Sequence, residues 1–288
     1  MATLCKPWPA RDPLHCGCMD GGDRSFKDPF KVTICVICYG HHAELAKRFL
    51  THLYRYTRPD CFTLRIGLNA ACEETLELAN TTAREYGNIW VHSESQNIFK
   101  SPLMAKLLSL KPIDTNWVIW FDDDSFPYRH DWLPGLKLRI ETQPEVAVWG
   151  NPFFTDADEG AVRFIRAASW FRGKPFNHSK PSGEWSERPL LSFVEGGFWA
   201  ARTSVLNALP WPDPRLVQNE DDYIFGEALR QNGYRIGRYK SGVRINQAER
   251  RGPWDAPCSY GSIPPSTRRD SGKMILRPLP QTLNGNSK

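Results

Sequence analysis

Trp117, Val118, Ile119, Trp120 and Phe121 form an unbroken apolar run that ends directly on Asp122, Asp123 and Asp124. A short run with no polar alternation reads as a strand buried on both faces, the kind found in parallel sheets between two helical layers. Its C-terminal end falls on the edge where open α/β sheets bind ligands, and this chain puts three carboxylates there. The flanking pattern agrees. Strands are predicted over residues 32–38, 62–68, 89–91 and 146–149, with helices over 43–56, 72–86, 102–110 and 132–142. Gly87 stands where a C-cap glycine belongs. Strands alternating with helices imply a three-layer α/β domain with a mainly parallel sheet. Neither G-x-G-x-x-G nor G-x-x-x-x-G-K-[ST] occurs, so the dinucleotide fingerprint and the P-loop are both missing.

Beyond Gly150 the pattern changes. Residues 162–170 read as a strand, 173–189 as a long polar loop, 190–201 as a strand and 220–231 as a helix closed by Asn232-Gly233. Residues 1–29, rich in Pro, Gly, Asp and Cys, read as an irregular arm, and 247–288 as a basic wrap with little periodicity. The domain proper is then 30–246, with a first half to residue 150 and a smaller second half after it.

The 288 residues carry 37 Lys+Arg against 32 Asp+Glu, a net charge of +5. That total is unevenly spread. From Arg230 onward there are 12 basic and 3 acidic residues, a net of +9, so the preceding body is mildly acidic. A basic tail on an acidic body is expected to meet an anion. With 41% hydrophobic residues the chain can bury a core and is not a disordered one. No run approaches the ~18 apolar residues of a membrane span. The first thirty residues lack the apolar core of a secretory leader, so a cytoplasmic protein is expected.

Eight cysteines raise metal and redox readings. Cys35 and Cys38 lie in the 32–38 strand, where positions three apart point to opposite faces, so core packing is preferred to a shared metal. Cys5, His15, Cys16 and Cys18 have zinc-ligand chemistry but not the spacing of a standard finger, and a structural zinc is not favoured there.

Three motifs carry chemistry. Asp122 and Asp124, two apart at a strand end, could share a hard divalent cation (Mg²⁺ or Mn²⁺) bridged to a diphosphate. Asn219 with Asp222 makes a capping-box-like pair at the head of the 220–231 helix, which leaves Glu220 and Asp221 beyond what a cap needs. A carboxylate there can serve as general base toward a hydroxyl. Glu195-Gly196-Gly197-Phe198-Trp199 places two glycines in a strand, the mark of a bulge or a close backbone approach. Trp199 could stack on a sugar or pack in the core.

In this order, the Asp-Asp-Asp strand end, Glu-Gly-Gly-Phe-Trp, then Asn-Glu-Asp-Asp heading a helix, the chain resembles the GT-A glycosyltransferases, most closely the family-2 inverting enzymes, over about residues 30–246. The resemblance implies a GT-A (Rossmann-like) sheet with a small C-terminal acceptor-side region, and a nucleotide-diphosphate sugar donor, with UDP favoured. It implies a metal at Asp122 and Asp124, with Asp122 or Asp123 also on the ribose. Asp221 would be the catalytic base, with Glu220 beside it. Tyr39 would stack on the nucleobase, Asn69 would stand where an aspartate often reads uracil, and Lys106 would be a donor-side cation. Glu195, Gly196, Gly197 and Trp199 would face the acceptor. Two departures stand out: Asn69 is not an acid, and no histidine follows His178 to complete a metal site, where residues 243–247 read Val-Arg-Ile-Asn-Gln and offer only Asn246.

The acceptor stays open among a soluble glycan, a small molecule, a protein and a hydroxymethylated nucleic-acid base. Arg250, Arg251, Arg268, Arg269, Lys273 and Arg277 suit a phosphate backbone or the donor diphosphate equally. Two other classes compete. A nucleotidyltransferase on a similar core lacks support because no glycine-rich basic loop follows the first strand. A non-catalytic nucleic-acid-binding module would have no need of Asp221.

Overall fold

The computed structural model describes residues 30–179, 182–218, 221–245 and 275–276. The irregular arm, with its Cys/His cluster, and nearly all of the basic wrap lie outside the described residues. So do Asn219, Glu220 and Asn246.

In chain order the elements are β1 (Val32–Tyr39), α1 (Ala43–Tyr56), β2 (Phe62–Asn69), α2 (Glu73–Tyr86), β3 (Ile89–Glu94), α3 (Lys100–Ser109), β4 (Trp117–Asp122) and β5 (Phe126–Pro127). They continue with α4 (Trp132–Thr142), β6 (Val146–Asp156), α5 (Glu159–Arg166), β7 (Asn177–Ser179), β8 (Trp185–Arg202), α6 (Thr203–Ala208) and β9 (Leu216–Gln218). The last are α7 (Asp221–Gln231), β10 (Arg235–Arg238), β11 (Val243–Arg244) and β12 (Ile275–Leu276). The main sheet runs β10-β6-β8-β4-β1-β2-β3, with β7 paired to β8. Strands β3, β2, β1 and β4 are mutually parallel, as is β10 with β6. The long β8 inserts antiparallel between β4 and β6, so the sheet is mostly parallel but mixed at its centre.

Period-two alternation builds the two faces. Val32, Ile34, Val36 and Cys38 of β1, with Trp117, Ile119 and Phe121 of β4, join one apolar core together with residues of α1, α2 and α4. Cys35 and Ile37, with Val118 and Trp120, join the other, under α3, α5, α6 and α7. Cys35 and Cys38 thus sit on opposite faces, as their spacing predicted, and burial pushes the Cys35 thiol up to about 12.

Helices α1 and α4 span the predicted residues. Gly87 closes α2 in the left-handed conformation at φ 69°, its N–H bonded to the Ala83 carbonyl. Two expectations fail. The segment read as a strand over 162–170 is mainly α5, where Ala161, Phe164 and Ile165 bury one helical face and the Asp158 carboxylate caps Ala161 N–H at 2.7 Å. The segment read as a loop over 173–189 contains β7 and the start of β8, paired as a hairpin.

Candidate active site

Strand register builds the site edge. Ile37 lies opposite Asp122, Tyr39 opposite Asn69, and Asn69 opposite Glu94, so four parallel strands end together. From the other direction β8 pairs Phe198 with Phe121, which carries Gly197, Gly196 and Glu195 past the end of β4. The register between β8 and β6 then shifts: Trp199 faces Gly150, but Val194 already faces Pro152. The intervening Glu195–Gly197 stretch bulges out at the carboxylate edge, as its two glycines suggested. A Cβ on Gly197 would lie 2.8 Å from Ser125 Oγ and 2.7 Å from Ile245 Cγ2. One on Gly196 would stand 3.5 Å from Lys100 Nζ and 3.6 Å from Asp222 Oδ2.

Helix α7 delivers the second carboxylate pair. It lies directly on the backbone of β8, because Gly226 presents no side chain: a Cβ there would fall 2.0 Å from the Ser192 carbonyl oxygen. Buried Glu227 pairs with Arg230 at 2.7 Å and accepts from Gln231 at 2.8 Å. Trp211 stacks on Phe225 of the same helix at 4.6 Å. Asp213 accepts from Trp170 Nε1 and from Arg215; burial opposes its charge, but Arg215 outweighs burial and holds it below the usual carboxylate range.

Lys100 ties the two carboxylate sites together. Its Nζ is 3.2 Å from Asp122 Oδ1 and 3.3 Å from Asp221 Oδ2. Trp120 Nε1 donates to the same Asp122 oxygen at 3.0 Å. Burial works against the ammonium, yet Asp122, Asp221 and Asp222 overcome it and raise its pKa well above the ordinary lysine value. Asp222 is pushed up to about 7, chiefly by burial and then by the neighbouring Asp221, with Lys100 pulling the other way. Lys100 belongs to no local motif and its partners come from distant elements, so spacing alone does not single it out. Lys106 in fact pairs with Glu94 at the end of β3, which also contacts His92 Nε2 at 2.6 Å. Burial opposes the Glu94 charge, but Lys106 and His92 outweigh it and hold Glu94 below the usual range.

Asn69 has an internal task rather than an open face. It is buried; its Nδ2 donates to Asn97 Oδ1 at 2.8 Å and its Oδ1 accepts from Ile98 N–H at 2.9 Å. Asn97 Oδ1 also accepts from Phe99 N–H at 2.8 Å. This pair of amides pins Phe99, a buried non-glycine residue at φ 68°, immediately before Lys100. A backbone strained by about 1 kcal/mol persists only where its surroundings over-determine it, and here it aims α3 at the carboxylates. Trp199 is a correction too: it is buried between Trp120, at 5.8 Å, and Phe225, at 5.5 Å, so it is a core residue with no face for an acceptor. Tyr39 is half-buried at the end of β1, 6.3 Å from the His42 ring. Asp123 is buried, and Asp124 accepts from Ser125 Oγ at 3.3 Å.

Beside the bulge an open cleft of about 870 Å³ is lined by Glu195, Asn151, Phe153, Tyr128, Lys240 and Arg244, among others. Asn151 Nδ2 holds Glu195 Oε2 at 3.1 Å. Among the described residues no three His, Cys, Asp or Glu side chains converge as a metal cage. Nor is any described helix long and apolar enough to cross a membrane.

The chain is similar in structure to the mannosyltransferase PcManGT from Pyrobaculum calidifontis, solved with GDP-Man and Mn²⁺. The TM-score is 0.51 at 15% identity, over 75% of this chain and 56% of that one. The fold is a GT-A-type glycosyltransferase fold. TarS from S. aureus is a more distant likeness, with a TM-score of 0.49 at 14% identity over 73% of this chain and 35% of that one. The chain therefore spans little more than half of PcManGT. No family model matches the sequence, and no curated protein matches it.

Proposed function

We propose that this chain transfers a sugar from a nucleoside-diphosphate sugar to an acceptor hydroxyl, with inversion at the anomeric carbon. One observation carries the reading: Asp122, at the end of a central strand, and Asp221, at the head of α7, converge on a single ammonium at the ligand-binding edge of a GT-A fold. PcManGT, of like fold, holds GDP-Man. Either a UDP- or a GDP-sugar would lie along the ends of β1, β2 and β4, with Tyr39 against the base and Asp122 toward the ribose.

Asp221 is the proposed base. It takes the proton of the acceptor hydroxyl as the oxygen attacks the anomeric carbon and the nucleoside diphosphate leaves on the opposite side. Glu220 would flank it. The acceptor would occupy the cleft beside Glu195, Gly196 and Gly197, where exposed Tyr128 and Phe153 offer faces for a sugar ring. The carboxylates expected to hold a metal, Asp122 and Asp124, do not form a preformed site: Asp122 is already paired with Lys100, Asp124 accepts from Ser125 Oγ, and no three His, Cys, Asp or Glu side chains converge among the described residues. No step is assigned to a divalent cation.

Release of nucleoside diphosphate from a panel of donors tests the reading. Asp221→Asn should lose about 10²–10⁴ in turnover while still binding nucleotide. Full turnover by that variant would refute the assignment.

A further inference from the structure

Lys100 is the first residue of α3, and no acidic residue occupies that first turn. A helix N-terminus already carries a partial positive charge, so a cation there is locally unfavourable and an anion favourable. The chain nonetheless spends the strained Phe99 and the Asn69–Asn97 clamp to hold Lys100 in place. The next residue, Ser101, is buried, and its hydroxyl has no hydrogen-bond partner among the described residues. The Lys100 ammonium thus stands at the head of α3, between Asp122 and Asp221.

We propose that Lys100 is the resident cation of the donor site: its ammonium and the first turn of α3 receive the donor diphosphate, so nucleotide binding does not require a divalent metal. This rests on the glycosyl-transfer reading above. An ammonium has three N–H donors. It can keep Asp122 and exchange Asp221 for a phosphate oxygen. That exchange releases the Asp221 carboxylate just when a donor is present, which couples donor binding to base availability.

Calorimetric titration of UDP and GDP into the full chain, once with EDTA and once with MnCl₂, tests this. The expected result is the same affinity in both buffers, within about threefold, and a loss of about tenfold or more for Lys100→Met in EDTA. Lys100→Arg, which keeps the charge, should retain most of the affinity. Binding that appears only with Mn²⁺, or a folded Lys100→Met that binds as well as wild type in EDTA, would overturn the inference while leaving glycosyl transfer standing. If Lys100→Met fails to fold, the wild-type comparison between buffers decides alone. No binding of either nucleotide in either buffer would sink both readings.

Discussion

Replacing Asp222 with asparagine should stabilise the protein, and only at higher pH. In the folded chain Asp222 is partly withdrawn from water beside Asp221 and Asp122, and its pKa rises from 3.8 to about 7, a cost that Lys100 lowers but does not cancel. The folded state therefore holds this proton more tightly than the unfolded chain does. The stability so contributed is full below about pH 4 and is lost as pH climbs through about 7. Three pKa units correspond to about 4 kcal/mol. Asparagine resembles the protonated acid in size and charge, so it should escape the loss. The expected gain is about 2–4 kcal/mol at pH 8 or above and close to zero near pH 4. In a chain of this size each kcal/mol moves the melting temperature by about 2–4 °C, so thermal melts of both proteins across this pH range will resolve it. Parallel curves for wild type and Asp222→Asn at every pH would refute the claim that burial and Asp221 raise this group.

Two further outcomes follow from the same geometry. Gly226→Ala should cost about 3 kcal/mol or more, because the new methyl would meet the Ser192 carbonyl at 2.0 Å and neither backbone can yield cheaply; an alanine variant melting with wild type would contradict the close seating of α7 on β8. Asn69→Asp should lose about 1–3 kcal/mol, since a buried carboxylate cannot donate to Asn97 Oδ1. Denaturant unfolding checks this, and an unchanged midpoint would remove Asn69 from its clamping role.

Much of the first half was legible because its strands are buried on both faces and its helices on one, so periodicity alone separates them. The run ending at Asp122 forms β4 as its apolar pattern indicates, and Gly196-Gly197 announced the bulge. What escaped was tertiary. The helix α5 was read as a strand although Ala161, Phe164 and Ile165 follow helical spacing and Asp158 offers a cap, because the apolar residues on either side blurred the period. The hairpin of β7 and β8 hid in a polar stretch with Pro175, Pro181 and Gly183. Trp199 is open from sequence between sugar stacking and core packing, and alternation along β8 turns it into the core against Trp120. Lys100 cannot be distinguished from Lys106 by composition or spacing; only its ion pairs with Asp122 of β4 and Asp221 of α7 single it out. Asn69 is similar: its register position was readable, but its partner Asn97 lies in a loop with no pattern.

The central claim is that the edge bearing Asp122 binds a nucleoside-diphosphate sugar. Isothermal titration of UDP-, GDP- and TDP-sugars into wild type and Asp122→Asn tests it most directly. The account predicts measurable binding of at least one donor and a loss of about tenfold or more in the variant. Equal affinity in the two proteins, or no binding of any donor, would contradict it.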